Sequence, residues 1–358
     1  MKSFSRILHP VVSLVSTDVG IDLGTANTLV YVKGKGVVIN EPTIVAINTK
    51  TGQLVAVGNK AKEMYGRTPQ HIEIVRPLVD GVISDFEVTE EMLMYFINRV
   101  RSATRMMVAP RVLVGVPSGI TNVEMRAARD AVINAGARDV FLIEEPMAAA
   151  IGAKLPITKS MGSMIVDIGG GTSDIAVISI SGIVVSKNLR IAGDHFTSAI
   201  ITYVRDQFKV HVGEKTAEDA KVKLAAITDA DEIREMVIRG RDAMTGLPRE
   251  VILTATDVRE AIASHVGTLV EAVRSLLEVT PPEVLADVMQ RGVYLSGGGA
   301  LIPGLPALLE DVLHVPVIVV PDPLRAVIRG IGIAIEDLDS YEEVFIENEG
   351  ELSPQLED

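Results

Sequence analysis

The sequence predicts an α/β fold made of two related halves with mixed sheets, and three features carry that expectation. The first is a pattern that occurs twice, as Val19-Gly20-Ile21-Asp22-Leu23-Gly24-Thr25-Ala26-Asn27-Thr28 and as Ile165-Val166-Asp167-Ile168-Gly169-Gly170-Gly171-Thr172-Ser173-Asp174. In each copy an apolar run of strand length ends in Asp-x-Gly and small hydroxyl residues. A second β-branched run follows, Leu29 to Val32 in one and Ile175 to Ile180 in the other, which reads as a β-hairpin with a tight turn. The second feature is another strand-to-glycine element, Val293-Tyr294-Leu295-Ser296-Gly297-Gly298-Gly299-Ala300, continued by Leu301 to Leu305 and a helical pattern. The third is the alternation of strand and helix patterns along the remaining chain. At 358 residues there is room for two domains with substantial cores.

The repeated turn carries the chemistry. Glycine lets the main chain approach a ligand closely, and consecutive N–H groups in a turn form a concavity that attracts anions. An aspartate beside such a nest repels a bare phosphate, so a divalent cation belongs between them, and phosphates with Mg²⁺ fit best. One Asp-x-Gly-Thr is equally well an ordinary strand end. Two copies point to a duplicated domain with a nucleotide held between the halves. Gly297 to Gly299 read either as a plain loop or as a surface against which a flat aromatic base can lie.

Composition narrows the classes. A hydrophobic content of 47% and a mean hydropathy of +0.32 describe a chain that folds, yet no apolar run approaches the roughly 20 residues needed to cross a bilayer. With no cysteine there is no disulfide and no thiolate metal site, which fits a reducing compartment. The six histidines are scattered without ligand spacing. A net charge of −13 argues against general nucleic-acid binding. Much of that charge follows Glu336, and residues 341–358 read as a solvated acidic tail.

Taken in order, the chain begins with a segment that stands apart. Met1, Phe4, Ile7, Leu8, Val11, Val12 and Val15 fall at helical spacing, with Lys2, Arg6 and several serines opposite. Such a basic amphipathic segment can lie among lipid headgroups. A plain terminus is the rival reading, since Pro10 disfavours helix at His9; a secretory signal lacks a cleavage pattern before the first strand. Strands then fill Val19 to Ile47, with turns at Gly34-Lys35-Gly36 and Asn40-Glu41-Pro42. Residues 48–79 form an interlude with a strand at Leu54 to Val57 and a helix over Asn59 to Gly66.

A helix over Thr89 to Thr104 is signalled by Thr89 as N-cap, by Glu90 and Glu91, and by Met92, Phe96, Ile97 and Val100 on one face. Arg105 to Pro110 follows as an apolar tip flanked by basic residues, either a buried connection or a membrane-dipping loop through Met106 and Met107. Arg111 to Val116 is a buried strand, Asn122 to Ala135 a helix, and Phe141 to Ile143 a strand leading into Glu144-Glu145-Pro146 and an alanine-rich helix. That acidic pair fits either helix N-terminal charge complementarity or chemistry. The second half repeats the plan with a strand at Ile183 to Asn188 and Gly193-Asp194 before a helix near Ser198. Helices follow at Ile200 to Phe208, Thr216 to Ala225 and Asp257 to Val279.

Ile21 to Thr25, Val166 to Thr172 and Leu295 to Gly299 resemble the phosphate-1, phosphate-2 and adenosine motifs of the actin, Hsp70 and sugar kinase superfamily. Within it, Gly20 to Val30, Ile143 to Gly152, Gly115 to Ile120, Ile191 to Asp194, Thr245 to Arg249 and Thr280 to Glu283 resemble MreB, the bacterial actin family. The resemblance covers roughly Val19 to Ile335. It implies an actin-like, ribonuclease H-like pair of duplicated domains, with four subdomains around a nucleotide cleft holding ATP and Mg²⁺. The implied division is an extension at 1–17, subdomain IA at 18–46, 80–159 and 325–340, IB at 47–79, IIA at 160–194 and 256–324, IIB at 195–255, and the tail at 341–358.

By that resemblance Asp22 and Asp167 face the metal, through water. Gly24, Thr25, Ala26 and Asn27 with Gly169, Gly170, Gly171 and Thr172 hold the phosphates. Glu145 orients the attacking water with help from Thr172; Gly193 and Asp194 also contact the nucleotide. Glu218 and Lys221 meet the ribose and base, and Gly297, Gly298, Gly299 and Ala300 the adenosine. Glu145 rather than Glu144, and Glu218 with Lys221, are selected by resemblance alone. Asp174 stands where the family usually has Glu, Thr197 where an acid is common, and no Lys follows the first turn.

The resemblance further implies a slow ATPase that forms paired protofilaments on the inner face of the cytoplasmic membrane, organises cell-wall synthesis and maintains rod shape. Phe4, Ile7, Leu8, Val11, Met106 and Met107 would touch the lipid. Net negative charge opposes docking beyond a Debye length, so local insertion must supply the affinity. Implied partners are further copies of the chain and elongation proteins such as MreC, MreD and RodZ, with no nucleic acid. A small-molecule kinase would need an acceptor site and an aspartate base, and an Hsp70-like chaperone would need a peptide-binding domain after the ATPase.

Overall fold

The structure is a computed structural model that describes residues 17–104, 108–228 and 234–346. Phe4, Ile7, Leu8, Val11, Met106 and Met107, the expected lipid contacts, lie outside those residues, as does 347–358 of the acidic tail. No helix among the described residues is long and apolar enough to cross a membrane.

The first half opens with β1 (Val19–Leu23), β2 (Asn27–Val32), β3 (Gly36–Pro42), β4 (Val45–Asn48), β5 (Leu54–Val57) and α1 (Asn59–Met64). It continues with β6 (Ile72–Val75), β7 (Leu78–Val79), β8 (Val82–Ile83), α2 (Phe86–Thr104), β9 (Arg111–Val116), α3 (Asn122–Asn134), β10 (Asp139–Glu144) and α4 (Glu145–Gly152). The second half holds β11 (Ser163–Ile168), β12 (Ser173–Ser179), β13 (Gly182–Leu189), α5 (Gly193–Phe208), β14 (Val210–His211) and α6 (Glu214–Leu224). Then come β15 (Glu235–Asp242), β16 (Pro248–Thr254), α7 (Ala255–Val279), α8 (Pro282–Arg291), β17 (Val293–Ser296), α9 (Leu305–Leu313), β18 (Val317–Val319) and α10 (Ala326–Glu336).

Two five-stranded sheets share one topology, β10-β9-β1-β2-β3 and β18-β17-β11-β12-β13. In each, three strands run as an antiparallel meander and two more add in parallel beside the first. Parallel strands covered on both faces need continuous apolar runs, and β9 and β11 are buried along nearly their whole length. Two small sheets, β5-β4-β6 and β14-β15-β16, attach one to each half. The first starts at Val45, just before residue 47.

Helices α4 and α10 share a core with residues of both large sheets, among them Leu29, Leu113 and Ile143 of one and Ile165, Ala176 and Ile178 of the other. Their backbones cross so closely that a Cβ on Gly330 would overlap the Ala148 carbonyl oxygen, and one on Gly152 that of Ala326. Glycine at the crossing is therefore a steric requirement.

Several local expectations shift. The helix expected to start at Thr89 starts at Phe86: the Asp85 carboxylate accepts from the Val88 N–H at 3.1 Å, while Thr89 is buried inside the first turns. The turn expected at Asn40-Glu41-Pro42 lies beyond it, because β3 pairs with β2 through Pro42 and the Thr43 N–H reaches the Ala26 carbonyl at 3.1 Å. The helix expected near Ser198 begins at Gly193. The tail is not solvated from residue 341: Phe345 and Ile346 are buried, the Phe345 ring lies 5.8 Å from that of Phe141, and the Ile346 N–H donates to the Leu142 carbonyl at 2.9 Å. Two large apolar side chains in a charged stretch are enough to dock it.

Candidate functional site

The hairpin turns β1–β2 and β11–β12 meet across the boundary between the halves, on the wall of a cleft of about 470 Å³. They touch: a Cβ on Gly170 would stand 2.6 Å from the Ala26 Cβ, and one on Gly171 2.5 Å from Thr25 Oγ1. The close approach explains the glycines better than turn geometry does.

Each turn is braced from outside. Thr43 Oγ1 donates to the Gly24 carbonyl at 2.6 Å, and the Gly81 N–H donates to Thr25 Oγ1 at 3.0 Å. In the second turn the Gly169 N–H closes on the Thr172 carbonyl at 2.9 Å. The first residues of α5 are fastened to the same turn, Gly193 N–H to Gly169 O at 3.2 Å and Asp194 N–H to Gly170 O at 2.8 Å. A helix N-terminus beside a glycine turn adds its positive end to the amides, a ready receptor for phosphate.

Asp22, Glu145, Asp167 and Asp174 are gathered behind the turns. Burial, then repulsion from Asp167, pushes the Asp22 carboxyl up to about 7. Burial likewise holds Asp167 at about 7, against a hydrogen bond from the Ser296 hydroxyl and with Asp174 adding repulsion. Glu145 is raised well above the usual carboxylate range by burial and by Asp174, Asp22 and Asp167 in turn. A cluster of this kind favours either protons or a cation. Perturbed carboxylates in a cleft also mark functional sites.

Of the residues expected to hold a nucleotide, Gly24 to Asn27, Gly169 to Thr172, Gly193, Asp194, Glu218, Lys221 and Gly297 to Gly299 all line this cleft. So do Asp22, Glu145 and Asp167, whereas Glu144 does not line it. Ala300 is a correction: it is 3% exposed and packs into the core of the second half, one residue past the glycines that reach the cleft. At the far end Lys221 Nζ donates to the Gly193 carbonyl at 2.7 Å and to Thr197 Oγ1 at 3.0 Å, and pairs with Glu218 at 2.7 Å. Thr197 Oγ1 bonds Glu218 at 2.6 Å, so a hydroxyl joins this network where an acid was expected.

Sequence reasoning missed the apolar floor made by Val222, Ala225, Ile302, Pro303 and Leu324. Pro303 follows the triple glycine closely, a usable signal; Leu324 has none. Also missed were the contacts across the cleft mouth: Arg76 with Glu214 and, at 3.4 Å, with Asp194, and His195 with Asp80 at 3.8 Å.

Two duplicated sheets, two crossed helices between them and paired Asp-x-Gly turns over a shared cleft define an actin-like protein. The computed structure superposes on MreB5 of Spiroplasma citri bound to ADP, and on the same protein bound to AMPPNP, with a TM-score of 0.86 in each case. Identity is 38%, over 92% of this chain and 98% of that one. The MamK double helical filament, at 24% identity and a TM-score of 0.76, shares the fold. The MreB/Mbl protein family model matches residues 16–343, and the chain belongs to that family. It is 52% identical to the cell shape-determining protein MreB of Pasteurella multocida and 50% identical to that of Escherichia coli K12. The first covers 92% of this chain and 95% of the relative, the second 92% and 96%.

Proposed function

We propose that this chain is a bacterial actin that binds ATP with Mg²⁺ between its two turns, hydrolyses it slowly and assembles into filaments. The observation that carries the reading is the meeting of Asp22 and Asp167 over one cleft, each beside a row of turn amides. Relatives are named cell shape-determining proteins, and the structural neighbours were solved with ADP and AMPPNP.

The donor set suits magnesium. Mg²⁺ keeps most of its waters and takes one or two carboxylates plus phosphate oxygens, without an all-protein cage. Among the described residues no group of three or more His, Cys, Asp or Glu could hold a metal by itself. Asp22 and Asp167, both pushed up to about 7, would hold the ion through water. When bound, the ion neutralises charge on the β- and γ-phosphates.

The chain's own residues do the rest. The amides of Gly24 to Asn27 and Gly169 to Thr172, with the N-terminus of α5, orient the triphosphate. Val222, Ile302, Pro303 and Leu324 exclude water from the base, against Gly297 to Gly299. Glu145, on the first turn of α4, orients water toward the γ-phosphate with Thr172. Hydrolysis then times assembly.

In the same reading the filaments lie on the inner face of the cytoplasmic membrane through Phe4, Ile7, Leu8 and Val11 and through Met106 and Met107, and organise cell-wall synthesis with MreC, MreD and RodZ. Family membership and the amphipathic sequence pattern support this part. Sedimentation of the purified chain tests it: with Mg²⁺ and ATP it pellets, and anionic liposomes carry more of it down. A chain that stays in the supernatant under both conditions contradicts the proposal.

A further inference from the structure

Side chains from opposite halves meet across the mouth of the cleft. Tyr65 caps the C-terminal end of α1 and Arg76 directly follows β6. Both belong to the small lobe in which α1 packs on the β5-β4-β6 sheet through Ala46, Ala56 and Ala61. Glu214 opens α6 in the second half. Its two carboxylate oxygens are divided between the visitors: Oε1 accepts from Arg76 Nη2 and Oε2 from the Tyr65 hydroxyl. Arg76 Nη1 also reaches the Asp194 carboxylate, in the first turn of α5, at 3.4 Å. The visitors are fixed at their own ends, since the Tyr65 N–H donates to the Lys62 carbonyl at 3.2 Å and Ser84 Oγ donates to the Arg76 carbonyl at 3.2 Å.

An acid in the first turn of a helix is favoured by the helix dipole alone, and a single exposed ion pair contributes little. Neither accounts for a tyrosine and an arginine that cross from the other half to fill both oxygens of one carboxylate. The Arg76 and Glu214 side chains are about one-third exposed, at 33% and 34%, so solvent screens each contact. A guanidinium between two carboxylates, with a hydroxyl on the remaining oxygen, is nevertheless a network, the arrangement in which exposed charges count. Its position matters too. Glu214 stands four residues before Glu218 and so shares a face of α6 with it, and Glu218, Lys221 and Val222 of that helix line the cleft. The contacts from the first half therefore take hold of a wall of the cleft itself.

We propose that Tyr65, Arg76 and Glu214 form a clasp that holds the halves together over a bound nucleotide and sets the rate at which it leaves. The inference rests on the nucleotide reading of the cleft. In that reading the two turns grip the phosphates from both halves, so the nucleotide departs when the halves part. Parting must break both bonds to Glu214. None of the three side chains lines the cleft, so the clasp acts on release and leaves the hydrolytic step alone.

The test is release of methylanthraniloyl-ADP, a fluorescent ADP, chased by excess ADP with Mg²⁺, from the full chain at a concentration too low for it to sediment. Glu214→Gln keeps the shape of the side chain and removes its charge. Release should quicken by about threefold to tenfold, the scale of two screened polar contacts, with single-turnover ATP hydrolysis within about twofold. Tyr65→Phe removes one hydroxyl and should quicken release by about twofold. Added to Glu214→Gln it should change little more, because both act through one carboxylate. The chain has no cysteine, so the pair Tyr65→Cys and Glu214→Cys can be bridged specifically by a short bis-maleimide, and bridging after loading should keep the labelled ADP in place. Unchanged release by Glu214→Gln overturns the proposal, as does a bridged chain that releases at the unbridged rate. A melting temperature lowered by Glu214→Gln without faster release also overturns it and marks a helix-end charge. Failure of the unaltered chain to bind labelled ADP would instead overturn the nucleotide reading.

Discussion

The two hairpin turns are built alike and equipped differently. In the first, Asp22 lies beside Gly115 of the neighbouring parallel strand; in the second, Asp167 lies beside Ser296 at the matching register. Ser296 donates its hydroxyl to Asp167. Gly115 has none to offer, and the Glu145 side chain lies beside it, its Cγ 3.6 Å from where a Cβ would stand. One half therefore admits a carboxylate from α4 where the other supports its aspartate. Two copies of a fold can thus equip one cleft differently, and in the proposed reading the first supplies the water-directed acid and the second the anchored metal-facing one.

That contrast can be broken at its point of contact. Gly170→Ala puts a methyl group 2.6 Å from the Ala26 Cβ and forces the turns apart. Overpacking costs about 1–3 kcal/mol, and if it is charged to the closed state, ATP affinity by calorimetry falls about tenfold to a hundredfold. An unchanged affinity would mean that the turns need not meet.

Support for the second aspartate is a smaller matter. Ser296→Ala removes the bond that keeps Asp167 from rising further, and affinity for Mg²⁺ with ATP should fall by roughly tenfold at pH 7, the value of one bond to a charged group. Binding the cation requires ionised carboxylates, so affinity falls as pH drops through about 7, and the variant's midpoint lies higher. A flat profile from pH 8 to 6 would contradict the assignment.

The smallest expected effect is on stability, with the opposite sign. A carboxyl whose folded pKa is raised from 3.8 to about 7 contributes stability fully present below 3.8 and lost as pH rises through about 7. At pH 8, Asp22→Asn should therefore melt a few degrees above the nucleotide-free wild type, and the gap should close toward pH 5. Functional acids held at a cost to stability behave this way. A lower melting point for the variant at pH 8 would show Asp22 to be structural.

Much of this was legible in the sequence where chemistry is local. A β-branched run ending in Asp-x-Gly-Thr specifies strand, turn and carboxylate within ten residues, and both hairpins stand where that pattern puts them. Helix ends were less legible: Thr89 looks like a cap because acids follow it, yet Asp85 lies four residues earlier and takes the role. Long-range partners were not legible. Nothing near Ser118 signals that it will bond Asp174, nothing near Leu324 signals a floor beneath the triple glycine, and Phe345 in an acidic stretch gives no hint that it will find Phe141. These contacts exist only once two halves with similar sheets have been laid against one another.

Calorimetric titration of ATP in the presence of Mg²⁺, for the unaltered chain and for Asp22→Ala with Asp167→Ala, tests the shared cleft most directly. Saturable binding that disappears in the double variant, while circular dichroism stays native, is the predicted result. Equal affinity in both proteins would contradict it.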